Sequence, residues 1–244
     1  MRRVAELSSS AWLALWEQGH GQSSAQRALT CLRVARLRED DDPAAWSIAE
    51  RDVQLLLLRE SAFGQQLEGS ADCPKCGERL ELHFSTREIM PRNLSSGKSI
   101  AIEHQGYVVQ FRFPAAGDLA ALPAAGSSEA RDELLGACFL NGRFVGEPVG
   151  FAEIPEEVRD AVEREMAQQD PDAITELALH CPSCAQAWKQ AFDAASFLWT
   201  ELDAWARRTL SDVHTLASAY GWTESEILRL SATRRQLYLG LIRP

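Results

Sequence analysis

The apolar positions recur with two periods, and the period changes along the chain. Trp12, Leu13, Leu15 and Trp16 predict a short helix that Ser10 can cap, broken by Gly19, Gly21, Ser23 and Ser24. Leu29, Leu32, Val34 and Leu37 predict a second helix over 25–38, followed by a solvated acidic turn at Glu39, Asp40, Asp41, Asp42 and Pro43. A third helix is predicted from Pro43 or Ala44 through Glu60, with Phe63 and Gly64 turning the chain. From there the period falls to two. Strands are predicted over 65–72 and 80–84, and a hairpin over 99–103 and 107–113 places Tyr107, Val109, Phe111 and Phe113 on one face.

Pro114 ends that hairpin. Asp118 is expected to cap a short helix reaching Leu122, and Ser128 to cap another through Leu134, Leu135, Cys138 and Phe139, stopped by Asn141 and Gly142. Pro155 is expected in the first turn of a helix with Val158, Val162 and Met166 on one side, closed by Asp170 and Pro171. Strands return over 174–180 and 187–192. The last fifty residues are helical. Asp193 is a good N-cap, no Pro or Gly interrupts 194–220, and Trp199, Leu202, Ala206, Leu210, Val213, Leu216 and Tyr220 recur at threes and fours. Gly221 ends that helix, Thr223 and Glu226 form a capping box, and Ser231 can cap a final helix bearing Leu237, Tyr238 and Leu241.

Two cysteine pairs organise these elements. Cys73-Pro74-Lys75-Cys76 and Cys181-Pro182-Ser183-Cys184 each sit between strand-like runs. A Cys-x-x-Cys at a hairpin tip forms a knuckle with both sulfurs aimed at one point, and two knuckles supply the four thiolates of a structural zinc. The pairs are 105 positions apart, against about 15–20 residues in a compact ribbon. A single shared metal would therefore clasp everything between them as an insertion. Redox or disulfide pairs, and pairs with separate partners or none, are the other readings of the same spacing. Thioredoxin-like motifs open a helix, whereas strand-like alternation follows both pairs here. Gly77 supplies the left-handed residue a knuckle favours; Ala185 stands at the matching position, so the second knuckle is expected to be less regular.

The reading is an α+β fold: a zinc-ribbon-like pair of knuckles clasping an α+β insertion, flanked by N-terminal and C-terminal helices. The expected regions are 1–60 (helical), 61–192 (split ribbon with its insertion) and 193–244 (helical). The expected cofactor is one structural zinc on Cys73, Cys76, Cys181 and Cys184.

Charge narrows the partners. The chain has 244 residues, a net charge of −10 and no cluster of Lys and Arg with interleaved aromatics. Nucleic-acid binding rests on neutralised phosphates, so an acidic chain is a poor candidate for it. No signal peptide or membrane segment is legible, which points to the cytoplasm and reduced thiols. Cys31 and Cys138 lie in helix-like apolar contexts and read as ordinary buried thiols. His180 adjoins Cys181 and is either a neighbour of the metal site or a surface residue. P-loop, Gly-x-Ser-x-Gly and His-Glu-x-x-His patterns are missing, and four thiolates would leave zinc no open position for water, so no enzymatic activity is expected.

Two segments carry a family resemblance. Asp52 through Gly64, an apolar helix whose Arg59, Phe63 and Gly64 fit Arg-x-x-x-aromatic-Gly, leads into Cys73-Pro74-Lys75-Cys76-Gly77. It resembles the baseplate hub assembly family of T4-like contractile tails. The tail from Asp212 to Leu239 is similar to a segment of phage tail and baseplate assembly proteins and of proteins encoded with extracellular contractile injection systems. The resemblance implies a zinc-binding assembly factor or minor structural component of a contractile baseplate. Its implied partners are baseplate, hub or tail proteins. It leaves open whether the protein stays in the finished particle. The alternative from another class is a zinc-ribbon adaptor in transcription or RNA metabolism, and a thiol-redox enzyme is a third. The aromatics and arginines of 193–244, with Trp222 at a corner, suggest a partner-binding element or, equally, core packing.

Overall fold

The computed structural model describes residues 7–35, 42–91, 94, 99–123 and 128–242. Helix α1 (Ser9–Gly19) is capped by Ser8 rather than Ser10: the Ser8 hydroxyl accepts the Ala11 N–H at 3.2 Å, and Trp12, Leu13 and Leu15 are buried. Helix α2 (Ser24–Ala35) follows; the end expected at Arg38 and the acidic residues 39–41 lie outside the described residues. The third helix begins later than its sequence suggests. Pro43–Ala45 forms a single 3-10 turn, the chain extends through Trp46 and Ser47, and α3 runs Ile48–Phe63. Ser47 dictates the break: its hydroxyl caps Glu50 N–H at 3.1 Å while its extended backbone bridges to Ala115. Gly64, at φ 86°, ends α3.

Strands β1 (Gln66–Asp72) and β2 (Arg79–Ser85) form the first hairpin, and β2 runs into the short helix α4 (Thr86–Ile89). The insertion holds an antiparallel sheet in the order β3 (Ser99–His104), β4 (Tyr107–Arg112), β5 (Phe139–Phe144), β6 (Glu147–Pro148). Helices α5 (Ala116–Ala121) and α6 (Ser128–Cys138) connect β4 to β5. Two expectations are corrected here. Asp118 does not cap α5; it is the third helical residue, its carboxylate accepting Ala115 N–H at 2.7 Å and a bidentate pair from Arg112. Asn141 and Gly142 do not stop a helix either. They lie inside β5, where Gly142 opposes Val109 and a Cβ on it would come within 3.2–3.3 Å of Val149 and the Phe139 ring. The Ser128 side chain expected as a cap lies outside the described residues.

Helix α7 (Glu156–Gln169) buries Val158, Val162 and Met166, with Pro155 one step ahead of the first turn as its cap residue. The second hairpin, β7 (Glu176–His180) and β8 (Ala187–Ala191), delivers the chain to α8 (Ala194–Tyr220). Asp193 caps α8 through Ala195 and Ser196 N–H, and left-handed Gly221 ends it. Helices α9 (Glu224–Arg229) and α10 (Ala232–Ile242) close the chain.

Three apolar clusters hold these elements. The first joins chain positions far apart: Leu15, Leu32, Leu55 and Leu58 from α1 to α3 pack with Leu67 of β1 and with Leu198 and Leu202 of α8. Each such side chain contributes on the order of 1.5–3 kcal/mol by leaving water. Gly19 is required for that approach, because a Cβ there would sit 2.2 Å from the Trp199 ring. Arg59 fixes the junction. It is 3% exposed, pairs with both Glu201 oxygens at 2.6 and 2.7 Å, and donates to Gly64 O at 2.5 Å. The second cluster sits inside the insertion, with Val109, Phe111, Ile154, Val158 and Val162 at its centre. The third gathers Val213, Leu216 and Ile227 under α9 and α10. Trp222 belongs to that third cluster: it stacks on Tyr220 at 4.6 Å and meets Tyr238 edge-on at 4.9 Å.

Candidate metal centre

Each hairpin ends in a knuckle, and the two are built alike. In the first, Cys73 N–H donates to Glu78 O at 2.8 Å and Gly77 N–H to Cys73 O at 2.9 Å. In the second, Cys181 N–H donates to Gln186 O at 2.8 Å and Ala185 N–H to Cys181 O at 3.0 Å. The irregularity expected from Ala185 is absent. Ala185 instead adopts φ 58°, matching Gly77 at φ 73°, and accepts a left-handed conformation that costs an alanine about 1–2 kcal/mol.

The knuckles face each other and bring Cys73, Cys76, Cys181 and Cys184 together, all four sulfurs within 4.8 Å of one another. Cys73 Sγ lies 3.6 Å from Cys184 Sγ, and Cys76 Sγ lies 3.6 Å from Cys181 Sγ. A disulfide would need sulfurs at about 2.05 Å. Four sulfurs about 2.3 Å from a tetrahedral centre are separated by roughly 3.8 Å, so the spacing fits one metal ion held by one pair from each hairpin. Cys73 and Cys181 are buried, Cys184 is half-buried and Cys76 is exposed. His180 is exposed and stands outside this group.

The electrostatics favour a cation. At Cys73 desolvation opposes ionisation, yet the backbone N–H groups of Cys76 and Lys75, with the Cys184 and Cys76 thiols, outweigh it and bring the group down to about 6. At Cys184 a backbone contact from Gln186 favours the thiolate, but desolvation and the three neighbouring sulfurs push the group up to about 12. Cys73 thus ionises readily while Cys184 resists, and a positive ion beside them would relieve that resistance. The remaining cysteines are of another kind. Burial pushes Cys31 up to about 12 and Cys138 up to about 11, as expected of inert core thiols.

The hairpins need such a link. They form two separate two-stranded sheets with no ladder between them, and most of their residues are exposed or only half-buried. A lone two-stranded hairpin is marginal in water. At the root, next to α8, the Phe84 ring meets Phe192 edge-on at 5.9 Å and Phe192 packs on Phe197 at 5.3 Å. At the tip, the four sulfurs are the link. A metal there would join residues 105 positions apart and close the whole insertion as a loop.

The cysteine set was legible from its spacing. The clamp of Arg59 on Glu201 was not: Arg59 entered only through a motif, and nothing in the sequence pointed to its partner on α8. No described helix is long and apolar enough to cross a membrane. No curated protein and no solved structure matches the chain. A family model does match: residues 28–139, which run from within α2 through α3, the first knuckle and the insertion as far as Phe139, match the family described as T4 bacteriophage base plate protein.

Proposed function

We propose that the protein is a non-enzymatic, zinc-clasped assembly factor or minor structural component of the baseplate of a phage-tail-like contractile particle. The observation that carries this reading is the family match over residues 28–139, which spans the helix bearing the Arg59 clamp and the first pair of sulfurs. Zinc suits a closed set of four thiolates, and a filled tetrahedral shell makes its role structural. The partners are baseplate, hub or tail proteins, met in the cytoplasm as the particle assembles. A net charge of −10 supports protein over nucleic acid as the partner.

The test is affinity purification of the tagged full chain from its native host, with identification of the proteins that come with it. Baseplate or tail proteins are expected. Transcription or RNA-processing complexes in their place would overturn the reading. Fractionation of finished particles then separates a resident component from a factor that leaves after assembly.

A further inference from the structure

A second site lies on the C-terminal helices, outside the matched segment. Helices α8 and α10 enclose an open cavity of about 400 Å³ whose wall includes Trp205, Arg208, Asp212, Ala232, Arg235 and Gln236. Arg235 is the anomaly. Its residue is 4% exposed, and among the described residues its guanidinium makes one hydrogen bond, from Nη1 to Leu230 O at 3.1 Å. Its Nε–H has no acceptor, and the group forms no ion pair among the described residues. The other buried arginines are paired: Arg51 with Asp52 at 2.7 Å, Arg59 with Glu201 at 2.6 Å. A buried guanidinium without a counter-charge costs several kcal/mol. Such a group persists where something outside the chain completes it.

The surroundings say what would complete it. Arg208, exposed on the same wall, also lacks an ion pair among the described residues. Ala232 is the first residue of α10, so the positive end of that helix's dipole lies beside the cavity. These features recruit an anion. Asp212 decides which kind. It shares the wall, held by Gln236 Nε2 at 3.1 Å, and repels a phosphate dianion more than a single carboxylate. A carboxylate also matches the planar guanidinium fork, and the Trp205 ring offers an apolar wall to the chain that bears it.

The geometry points to a carboxylate-docking site, in which Arg235 and Arg208 receive a Glu or Asp side chain from an acidic segment of a partner protein. The site works by completing an existing buried charge, so Arg235 is kept for binding and not for folding.

The experiment uses the full chain, labelled with nitrogen-15, and follows the Arg235 Nε–H and Trp205 indole resonances. The probe is the peptide acetyl-Leu-Glu-Leu-amide, with its Gln counterpart and inorganic phosphate as the other arms. The glutamyl peptide is expected to move both resonances saturably and the glutaminyl peptide to leave them in place. Arg235→Met and Arg208→Gln should each weaken the response at Trp205 by tenfold or more. Arg235→Met should also keep or raise Tm, because it removes an unpaired charge. Arg208 is exposed, so its variant tests binding even if the Arg235 variant folds poorly. Unmoved resonances, an equal response to both peptides, a stronger response to phosphate, or glutamyl binding unchanged in Arg208→Gln would each overturn the site.

Discussion

Arg59→Ala is expected to cost the fold about 3–5 kcal/mol, the range for breaking a buried ion pair by removing one partner. The figure follows from what Arg59 holds. It donates twice to the Glu201 carboxylate at 2.6 and 2.7 Å and once to Gly64 O at 2.5 Å, from a side chain only 4% exposed. Hydrogen bonds to charged groups contribute roughly 1.5–3 kcal/mol each, and Glu201, 26% exposed, would be left without its partner. Geometry adds to the loss, since Arg59 ties α3 to α8 across the first core and also fixes the turn into β1 at Gly64. The exposed pair Arg207–Asp203 is the control: four residues apart on α8 with Arg207 67% exposed, it should contribute only about 0.3–0.5 kcal/mol. Urea unfolding of Arg59→Ala, Glu201→Ala and the double mutant measures both the cost and the coupling. The double mutant should lose much less than the sum of the singles, because both remove one interaction. A loss below about 1 kcal/mol for Arg59→Ala, or strict additivity, would refute the reasoning.

Other outcomes follow from single positions. Gly19→Ala should destabilise by about 1–3 kcal/mol, because its new Cβ would lie 2.2 Å from Trp199; a wild-type urea midpoint would contradict that close approach. Ala185→Gly should raise the thermal midpoint, since glycine relieves a left-handed alanine worth about 1–2 kcal/mol while adding some unfolded-state entropy; a clear loss of stability would count against strain at that knuckle. Desolvation opposes the ionisation of Asp118, but hydrogen bonds from Arg112 and Ala115 outweigh it and hold its carboxyl below the usual carboxylate value. A depressed folded pKa gives stability that is present above the unfolded value, about 3.9, and is lost as pH falls through the folded one. Asp118→Asn should therefore be less stable than wild type at pH 7 and converge towards it in acid, as read from denaturation at several pH values. A gap that stays constant down to pH 2 would contradict this assignment.

What the sequence made legible was local in character. The knuckles were readable because two cysteines three positions apart in a tight turn suffice to aim both sulfurs at one point. Helix α8 was readable because its apolar period runs unbroken between Asp193 and Gly221. The features that escaped depend on contacts from elsewhere in the chain. Asn141 and Gly142 carry a strong turn signal, yet they pair with Gln110 and Val109 of β4 inside β5, with the Phe139 ring and Val149 over the space a side chain at 142 would fill. The break before α3 comes from Ser47, whose backbone is held by Ala115 in the insertion. Arg235 sits in α10 among other polar residues, and only its burial distinguishes it from Arg234. Trp222 stayed open between interface and core because one of its two ring partners, Tyr238, is brought to it only by the folding-back of α10, while the other, Tyr220, is its neighbour at the end of α8.

The most direct test is the metal content of the purified chain and of two single variants, one from each knuckle. Elemental analysis of wild type should find about one zinc per chain, the ratio for a four-thiolate site. Cys76→Ser and Cys184→Ser should both lose it and should fall in thermal stability by the same amount, because Cys76 and Cys184 would serve one ion across a closed loop. Wild-type protein without zinc, iron in its place, or one variant that melts like wild type while the other collapses would contradict a single zinc clasp.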